Sequence, residues 1–368
     1  MEYTALQQQI ALSILKTTSN KTLRSILDTT PDLTDFFAGN FSVNMKDERL
    51  KFVSKKNRSE ALLLAERYIH WVVKNNTEIL FYQNENFPQR LLECHDTPIT
   101  LFKQGNFDLN KSKVVAIVGT RNITNYGKLI CENLIQSFKN QNIIVVSGLA
   151  YGVDVYAHEL CLKNNIPTVG VLGHGFQFMY PAAHRNIAKA IQGNGGLISE
   201  FLPDTRADKI HFPMRNRIIA GLADATIVIE SGAKGGSLIT AEMANGYNRE
   251  VFAFPGSVFD EYSKGCNQLI KQNKAILINS GEEFLDMMSW NTKTIKSKAN
   301  QVSIFDVSVN LVGQEKELYT YIKKLKEVQK DELLVHFQHY NSELFGVLLQ
   351  LEMNGLIAST PAGGYRCV

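Results

Sequence analysis

The stretch IIVVSGLAYGVD, residues 143–154, contains the change of pattern on which the fold depends. It begins with four apolar β-branched residues, passes through a turn that contains two glycines, and continues into a helical pattern that carries His158. A short apolar run of this kind predicts a strand that is buried on both faces. The turn and the helix after it make the stretch a βα unit.

Six further short apolar runs alternate with amphipathic stretches on both sides of this unit. They occupy residues 114–118, 168–172, 196–198, 225–229, 251–253 and 275–278. Strands that are apolar on both faces belong to a parallel sheet covered by helices, and their alternation with helices indicates right-handed βαβ connections. The sequence therefore predicts an α/β fold with a doubly wound sheet.

The turns that follow these strands are rich in glycine and hydroxyl groups. They contain Gly119, Thr120, Ser147, Gly148, Ala150, Gly235, Gly236, Ser237 and Thr240. Ligands of open parallel sheets bind beyond the carboxyl ends of the strands. Glycine lets backbone N–H groups approach an anion, and a helix N-terminus adds about half a unit of positive charge. Arg121 and Lys234 add full charges, so we predict a phosphate-binding strip here, with purely structural tight turns as the alternative.

Sequence motifs of several enzyme classes are absent from these turns. No G-x-G-x-x-G follows the first strand, and neither a G-x-x-x-x-G-K-[ST] loop nor a G-x-S-x-G elbow occurs. His158 lies one helical turn after Asp154, a spacing that is more typical of a structural hydrogen bond than of a catalytic pair. We therefore predict no catalytic residue, no cofactor and no metal site.

The segment HFPMRNRIIAG, residues 211–221, places Arg215, Asn216 and Arg217 near the start of a predicted helix. A helix N-terminus disfavours cations, so each guanidinium needs an anionic partner. One alternative is contact with phosphates or stacked bases, which makes all three residues candidate ligands. The other is internal pairing, for which the candidate partners are Glu200, Asp224 and Glu230. One arginine could serve each role.

Composition limits the kind of nucleic-acid site and the compartment. The 368 residues contain 39 Lys and Arg against 36 Asp and Glu, so a nucleic-acid site must be a local cluster. The five scattered cysteines support neither a disulfide framework nor a zinc site. The N-terminus lacks a signal-peptide pattern, and no apolar run reaches the ~18 residues that span a bilayer. We expect a soluble cytoplasmic protein with no membrane partner.

The two ends of the chain carry helical patterns. Apolar residues recur at helical spacing in two stretches of the first ~75 residues. After a polar linker, three helices and a terminal hairpin suggest a winged helix. Its third helix, predicted over residues 342–354, has no Lys or Arg and contains Glu343 and Glu352. This composition disfavours reading of duplex DNA and favours a protein contact or packing.

Several of these stretches together resemble the DNA-processing protein A (DprA/Smf) family. They are GTR (119–121), SGLAYGVD (147–154), AH (157–158), YP (180–181), SE (199–200), FPMRNRIIAG (212–221), GSLITA (236–241), PG (255–256) and GCNQLI (265–270). The similarity runs in order over about residues 80–285. Val153 stands where the family commonly has Ile, and Gly235 where it commonly has Ser. Residues 16–19 lack the glycine turn of a helix-hairpin-helix DNA binder.

The resemblance implies an extended Rossmann domain that binds single-stranded DNA, dimerises, and loads the recombinase RecA during natural transformation. It also places Arg121 in the DNA pocket. We accordingly expect a helical SAM-like domain over residues 1–75 and an extended Rossmann DNA-binding domain over 76–289. A linker over 290–310 and a winged-helix-like domain over 311–368 complete the chain.

Two other functions remain open at this point. A phosphoribohydrolase-like enzyme that processes nucleotides would use the same glycine turns and Arg121 for its phosphate, with Glu200 or Glu230 as the acid. A winged-helix regulator that senses a nucleotide is the second. The predicted DNA ligands are the residues of the glycine turns named above, Arg121, Lys234, and the Arg215–Asn216–Arg217 group.

Overall fold

A computed structural model describes residues 4–15, 20–30, 32–41, 53–291, 311, 313–325, 327–360 and 363–367. Two compact units make up the chain, Met1–Thr292 and Lys293–Val368. Residues 16–19 and 42–52 lie outside the described residues, as does most of the predicted linker. No helix in the described ranges has both the length and the apolar character needed to cross a bilayer.

The first unit is built on a nine-stranded sheet. Its strands are β1 (Glu78–Phe81), β2 (Thr100–Gly105), β3 (Lys113–Val118), β4 (Ile143–Ser147), β5 (Thr168–Leu172), β6 (Gly195–Ser199), β7 (Ala225–Val228), β8 (Glu250–Ala253) and β9 (Ile276–Leu277). They lie in the order β1-β2-β6-β5-β4-β3-β7-β8-β9. Strands β3 to β9 are parallel to one another, whereas β2 pairs antiparallel with β6 and β1 pairs antiparallel with β2. All seven predicted strands and the α/β class are confirmed.

Helices cover both faces of this sheet. They are α1 (Ala5–Ile14), α2 (Asn20–Asp28), α3 (Leu33–Ala38), α4 (Lys55–Lys74), α5 (Gln89–Leu92), α6 (Asn125–Ser137), α7 (Val153–Lys163), α8 (Arg185–Gly193), α9 (His211–Leu222), α10 (Gly236–Gly246), α11 (Lys264–Lys271) and α12 (Gly281–Met287). Side chains of β3 alternate between the two faces. Val114 and Ala116 belong to one hydrophobic core, and Val115 and Ile117 belong to the other. This alternation explains why every residue of the strand after Lys113 is buried.

The N-terminal helices share a hydrophobic core with the sheet. Ile10 of α1 and Phe36 of α3 belong to the same cluster of buried side chains as Val114 of β3. Polar contacts add to this packing, because the amide of Asn20 donates to the carboxylate of Glu200 at 3.1 Å. The predicted boundary near residue 75 therefore falls between α4 and β1 inside one compact unit.

The order of the strands reverses at β3. The chain adds β4, β5 and β6 on one side of β3, then returns to place β7, β8 and β9 on the other side. The last residues of β3 and β7, Val118 and Val228, lie opposite each other in the sheet. Connections that leave two neighbouring strands in opposite directions open a cleft between them, which is where doubly wound sheets bind ligands.

The second unit contains three helices and a small antiparallel sheet. These are α13 (Gln314–Leu325), β10 (Glu327–Gln329), α14 (Lys330–His336), α15 (Leu344–Met353), β11 (Ile357–Ser359) and β12 (Gly364–Cys367), with strand order β10-β12-β11. Leu318, Leu333 and Leu348 contribute one buried side chain from each helix to its core. The three predicted helices and the terminal hairpin are present, and the winged-helix assignment itself stays a prediction.

Candidate functional site

The cleft between β3 and β7 holds an open groove with a volume of about 870 Å³. Among the predicted ligands, Gly119, Thr120, Arg121, Ala150, Lys234, Gly235, Gly236, Ser237, Thr240, Arg215 and Asn216 line it. Turns that are up to 120 residues apart in the sequence thus meet at one edge of the sheet, as predicted. Ser147, Gly148 and Arg217 do not line this groove.

Four exposed cationic side chains surround the groove. Arg121 and Lys234 are the two that the sequence singled out, and Lys209 and Lys264 are the two that it missed. Glu261 is the one exposed carboxylate among the described lining residues. The sequence did carry a signal for Lys264: it is the first residue of α11, where the helix dipole disfavours a cation and an anionic partner is therefore expected. The exposed charges at the groove are therefore mostly positive, which favours an anionic ligand.

Two of the helices that begin at this edge, α6 and α7, have N-terminal N–H groups that are bonded within the protein. The hydroxyl of Thr124 accepts the N–H of Gly127 at the start of α6, while the buried carboxylate of Glu230 accepts the N–H of Thr124 at 3.0 Å. At the start of α7, the N–H of Val153 donates to the carbonyl oxygen of Thr120 at 3.1 Å, and the carboxylate of Asp154 accepts the N–H of Ala150 just before the helix at 3.4 Å. Groups of the protein itself therefore bond to the N–H groups that an anion would use at the starts of α6 and α7.

The N-terminus of α10 is open to the groove. Its N-cap residue, Gly235, provides no side-chain cap. Gly236 is exposed, and no atom lies within 4 Å of the place where its Cβ would be. Lys234 lies immediately before these glycines. An uncapped helix N-terminus beside an ammonium group is a suitable position for a phosphate.

The glycines of the other two turns have a packing role. A Cβ on Gly119 would lie 2.4 Å from the side chain of Val153, and one on Gly148 would lie 2.6 Å from the guanidinium of Arg215. Gly152 has a φ of +78°, and its Cβ would lie 2.2 Å from the carbonyl oxygen of Thr120. Glycine is therefore needed at these three positions for tight packing of the turns, whereas Gly236 has open space beside it, as a phosphate-binding position requires.

Arg215 and Arg217 both use their guanidinium groups inside the protein. Arg215 is 5% exposed and donates to the carbonyl oxygens of Gly148 and Val171. Burial lowers the pKa of Arg215 to about 10, an effect that the nearby Asp154 opposes. Burial likewise raises the pKa of the Asp154 carboxyl, and Arg215 acts against that rise.

Arg217 forms the internal ion pair that was one of the sequence-based alternatives. Its guanidinium contacts the carboxylate of Glu200 and the carbonyl oxygen of Asp96. Both guanidinium groups therefore have partners within the protein; Arg215 and Asn216 still line the groove, and Arg217 does not.

The hydroxyl groups predicted as ligands are largely buried. Ser147 is fully buried, and its hydroxyl donates to the carbonyl oxygen of Ile117 at 2.6 Å. Ser237 donates to the hydroxyl of Ser231 at 2.9 Å, and Thr240 is 1% exposed. These side chains stabilise the turns of the groove from below.

Aromatic side chains border the groove on the β5 side. Phe212 and Tyr180 lie with ring centroids 5.6 Å apart, and the guanidinium of Arg121 lies 5.8 Å from the ring of Phe212. Tyr151 is half exposed beside the same pocket and packs edge-on against His184. Flat apolar faces and a cation therefore lie side by side, an arrangement suited to a planar anionic ligand.

Among the described residues, the hydrogen-bond partner of His158 is a threonine hydroxyl and not a carboxylate. His158 is fully buried, and its Nδ1 lies 2.7 Å from the hydroxyl of Thr168. Burial lowers its pKa to about 3, with further lowering by the positive charge of Arg215. The structural interpretation of this histidine fits these contacts.

The family model for DNA recombination-mediator protein A matches residues 78–289, which include the whole sheet and every turn of the groove. The chain belongs to this family. It is 42% identical over 199 residues to DNA processing protein DprA of Streptococcus pneumoniae, a match that covers 54% of this chain and 70% of that protein. The resemblance found in the sequence is confirmed.

Solved structures of the family show a matching fold. The X-ray structure of DprA from Streptococcus pneumoniae superposes with a TM-score of 0.64 at 31% identity, over 77% of this chain and 98% of that one. A DNA processing protein A structure from Helicobacter pylori, described for its single-stranded DNA binding mode, gives a TM-score of 0.53 at 28% identity. It covers 58% of this chain and 95% of that chain. The chain therefore has the Rossmann-like fold of the family and its DNA-processing, recombination-mediator role.

Proposed function

We propose that the groove between β3 and β7 binds single-stranded DNA. The observation that carries the proposal is the meeting, in one groove, of an uncapped helix N-terminus, four exposed cations and exposed aromatic faces. Phosphates would lie at Gly236 with Lys234 and Arg121, and bases would stack at Phe212 and Tyr180. The Helicobacter pylori relative, whose structure is described for its single-stranded DNA binding mode, supports this ligand.

Unpaired bases suit this groove better than a duplex. The rings of Tyr180 and Phe212 can stack only on a base face that is free of its neighbour in a helix, and each such contact contributes ~1–3 kcal/mol. Every base has such a face, so we expect weak sequence preference. Backbone phosphates supply the rest of the affinity through the release of counterions.

A binding role rather than catalysis is favoured by the positions of the acids. The phosphoribohydrolase alternative needs a free carboxylic acid, for which Glu200 and Glu230 were the candidates. Glu200 contacts Arg217 and Asn20, and Glu230 accepts hydrogen bonds from Thr124. Both carboxylates stabilise the fold, which supports a non-enzymatic mediator.

Within this role we propose that the protein acts in the cytoplasm as a homodimer. It would protect incoming single strands and load RecA onto them during natural transformation. The support for these finer steps is family membership alone. A regulator that reads duplex DNA is less well supported, because α15 begins at Leu344 and contains no Lys or Arg.

The test compares Arg121→Ala, Lys234→Ala and the double variant with a matched control, Lys111→Ala. Lys111 is exposed at the opposite, amino-terminal edge of the same sheet. Binding to an oligothymidylate and to a duplex of equal length is measured by fluorescence anisotropy over a range of salt concentrations. Each groove variant should weaken single-strand binding and reduce the slope of log K against log salt by about 0.7.

The control should bind the single strand like the unmodified protein. A folded double variant with unchanged affinity and salt slope would reject this groove as the DNA site.

A further inference from the structure

Phe259 is the most exposed large hydrophobic side chain in the described part of the chain. Its side chain is 91% exposed, in the loop that joins β8 to α11. The neighbouring Val258 is 71% exposed. An aromatic ring in this position gains nothing from burial within the chain, so it does not stabilise the fold.

The loop that carries Phe259 is held in one conformation by hydrogen bonds. The side-chain amide of Asn267 forms two of them with the backbone of Gly256, at 2.9 and 3.2 Å. The N–H of Asp260 donates to the carbonyl oxygen of Ser257, and the N–H of Phe259 donates to the Ser257 hydroxyl. The ring is therefore presented to solvent by an ordered turn.

This turn continues directly into the groove. Tyr262 and Lys264, which follow Phe259 by three and five residues, line the groove. The hydroxyl of Tyr262 accepts a hydrogen bond from Asn122 in the turn after β3, and its carbonyl oxygen accepts the N–H of Ser231 in the turn after β7. Both walls of the cleft thus fix the segment that carries Phe259.

The topology places this segment on the side of the groove away from the first aromatic pair. Phe212 packs against Gly173, which follows β5, whereas Phe259 follows β8. In the sheet these strands lie on opposite sides of the β3–β7 cleft. The cations Lys234 and Lys264, which line the groove, follow β7 and β8 and so belong to the same side of the cleft as Phe259.

We propose that Phe259 is a second base-stacking position, which extends the DNA path beyond the groove on the β8 side. A strand whose phosphates lie at α10 and Lys264 would place one unpaired base on the exposed ring. The phenyl ring forms no hydrogen bonds, so the contact depends on the presence of a base and not on its identity. This inference rests on the proposed function of the groove.

The experiment compares Phe259→Ala, Phe259→Leu and Phe259→Tyr with Val258→Ala, an exposed aliphatic neighbour in the same turn. Full-length variants are titrated with an oligothymidylate of about 20 nucleotides and with an abasic strand of the same length and charge. Phe259→Ala and Phe259→Leu should lose about 5- to 10-fold in affinity for the oligothymidylate. They should bind the abasic strand like the unmodified protein, and Phe259→Tyr and Val258→Ala should bind both strands normally.

Each other result overturns the inference in a distinguishable way. If the unmodified protein binds the oligothymidylate and all Phe259 variants match it, Phe259 does not stack on DNA although the groove proposal stands. If Phe259→Ala weakens both strands equally and changes the mass of the particle in solution, Phe259 is a contact between protein copies. If the unmodified protein binds no single strand, the proposed function fails together with this extension.

Discussion

Replacement of Arg215 by Met should destabilise the fold strongly, whereas replacement of Arg121 by Met should not. The guanidinium of Arg215 is buried, donates to two backbone carbonyl oxygens and attracts the buried carboxylate of Asp154 electrostatically. Methionine retains most of the apolar volume, so the loss comes mainly from the polar contacts. Removal of one partner from a buried charged pair costs about 3–5 kcal/mol, and an exposed arginine contributes within about 0.5 kcal/mol.

The assay is urea unfolding at pH 7, followed by circular dichroism, for the unmodified protein and both variants. Arg215→Met leaves the Asp154 carboxyl buried without its cation, and this raises its pKa further. A carboxyl with a raised pKa in the folded state stabilises the fold below its ordinary pKa of 3.8 and loses that contribution as pH rises through the folded value. The deficit of Arg215→Met should therefore shrink at lower pH, and adding Asp154→Asn should recover part of it at pH 7.

The reasoning is wrong if Arg215→Met unfolds within about 1 kcal/mol of the unmodified protein. It is also wrong if the two substitutions are additive, so that the double variant loses as much free energy of unfolding as Arg215→Met and Asp154→Asn lose separately. Either result would mean that the guanidinium is hydrated and available to a ligand, and it would return Arg215 to the set of DNA contacts.

Three further predictions concern stability and binding. The pKa of His158 is lowered to about 3, so the folded protein keeps this ring neutral while the unfolded chain takes up a proton as pH falls. Between pH 7 and pH 5 the free energy of unfolding, measured with urea, should therefore fall by about 2 kcal/mol more for the unmodified protein than for His158→Gln. Equal decreases would contradict a buried, neutral ring. Arg217→Met breaks the ion pair with Glu200 and should lower the free energy of unfolding by about 2–4 kcal/mol. Its affinity for single-stranded DNA should stay within about 2-fold of the unmodified protein. A large loss of affinity with no loss of stability would mean that Arg217 binds the DNA. Gly152→Ala should lower the free energy of unfolding by more than about 2 kcal/mol, because Gly152 has a positive φ and the new Cβ would meet the carbonyl oxygen of Thr120. Gly236→Ala should melt at the temperature of the unmodified protein, because its Cβ would meet no other atom. Similar melting temperatures for both variants would refute the packing argument.

The parallel strands were predictable because each is a short apolar run with both faces buried. The antiparallel strands β1 and β2 were harder to locate, because their local sequence does not distinguish a strand from a helix. Residues 78–81 form a run of four that could equally belong to a buried helix. What makes β2 a strand is its pairing with β6, in which Phe102 lies opposite Ser199, almost 100 residues away. Such a contact leaves no local signal in the sequence.

The candidate site was predictable at the level of turns and not at the level of individual atoms. A glycine has the same sequence signature whether an anion or a neighbouring side chain lies against it. Gly148 lies against Arg215 and Gly236 faces open space, and only the structure distinguishes them. The same holds for the arginines, since the helix-dipole argument required a partner for each without showing that Glu200 supplies one of them. Lys209 lay outside every motif considered, and only its position at the groove reveals it.

Polar contacts within the protein hold the loops of the groove in place, as the proposed binding of a flexible polymer would require. Arg215 holds the turn after β4, Glu230 holds the start of α6, and Tyr262 links the turns after β3 and β7. The walls are therefore ordered without a ligand, so the proposed binding of DNA would not have to supply the free energy of ordering them. The groups left for the ligand are exposed ammonium and guanidinium heads, an uncapped helix N-terminus and ring faces. Each exchanges water or counterions for phosphate or base without distinguishing one nucleotide from the next, so affinity should depend on salt and on strandedness far more than on sequence.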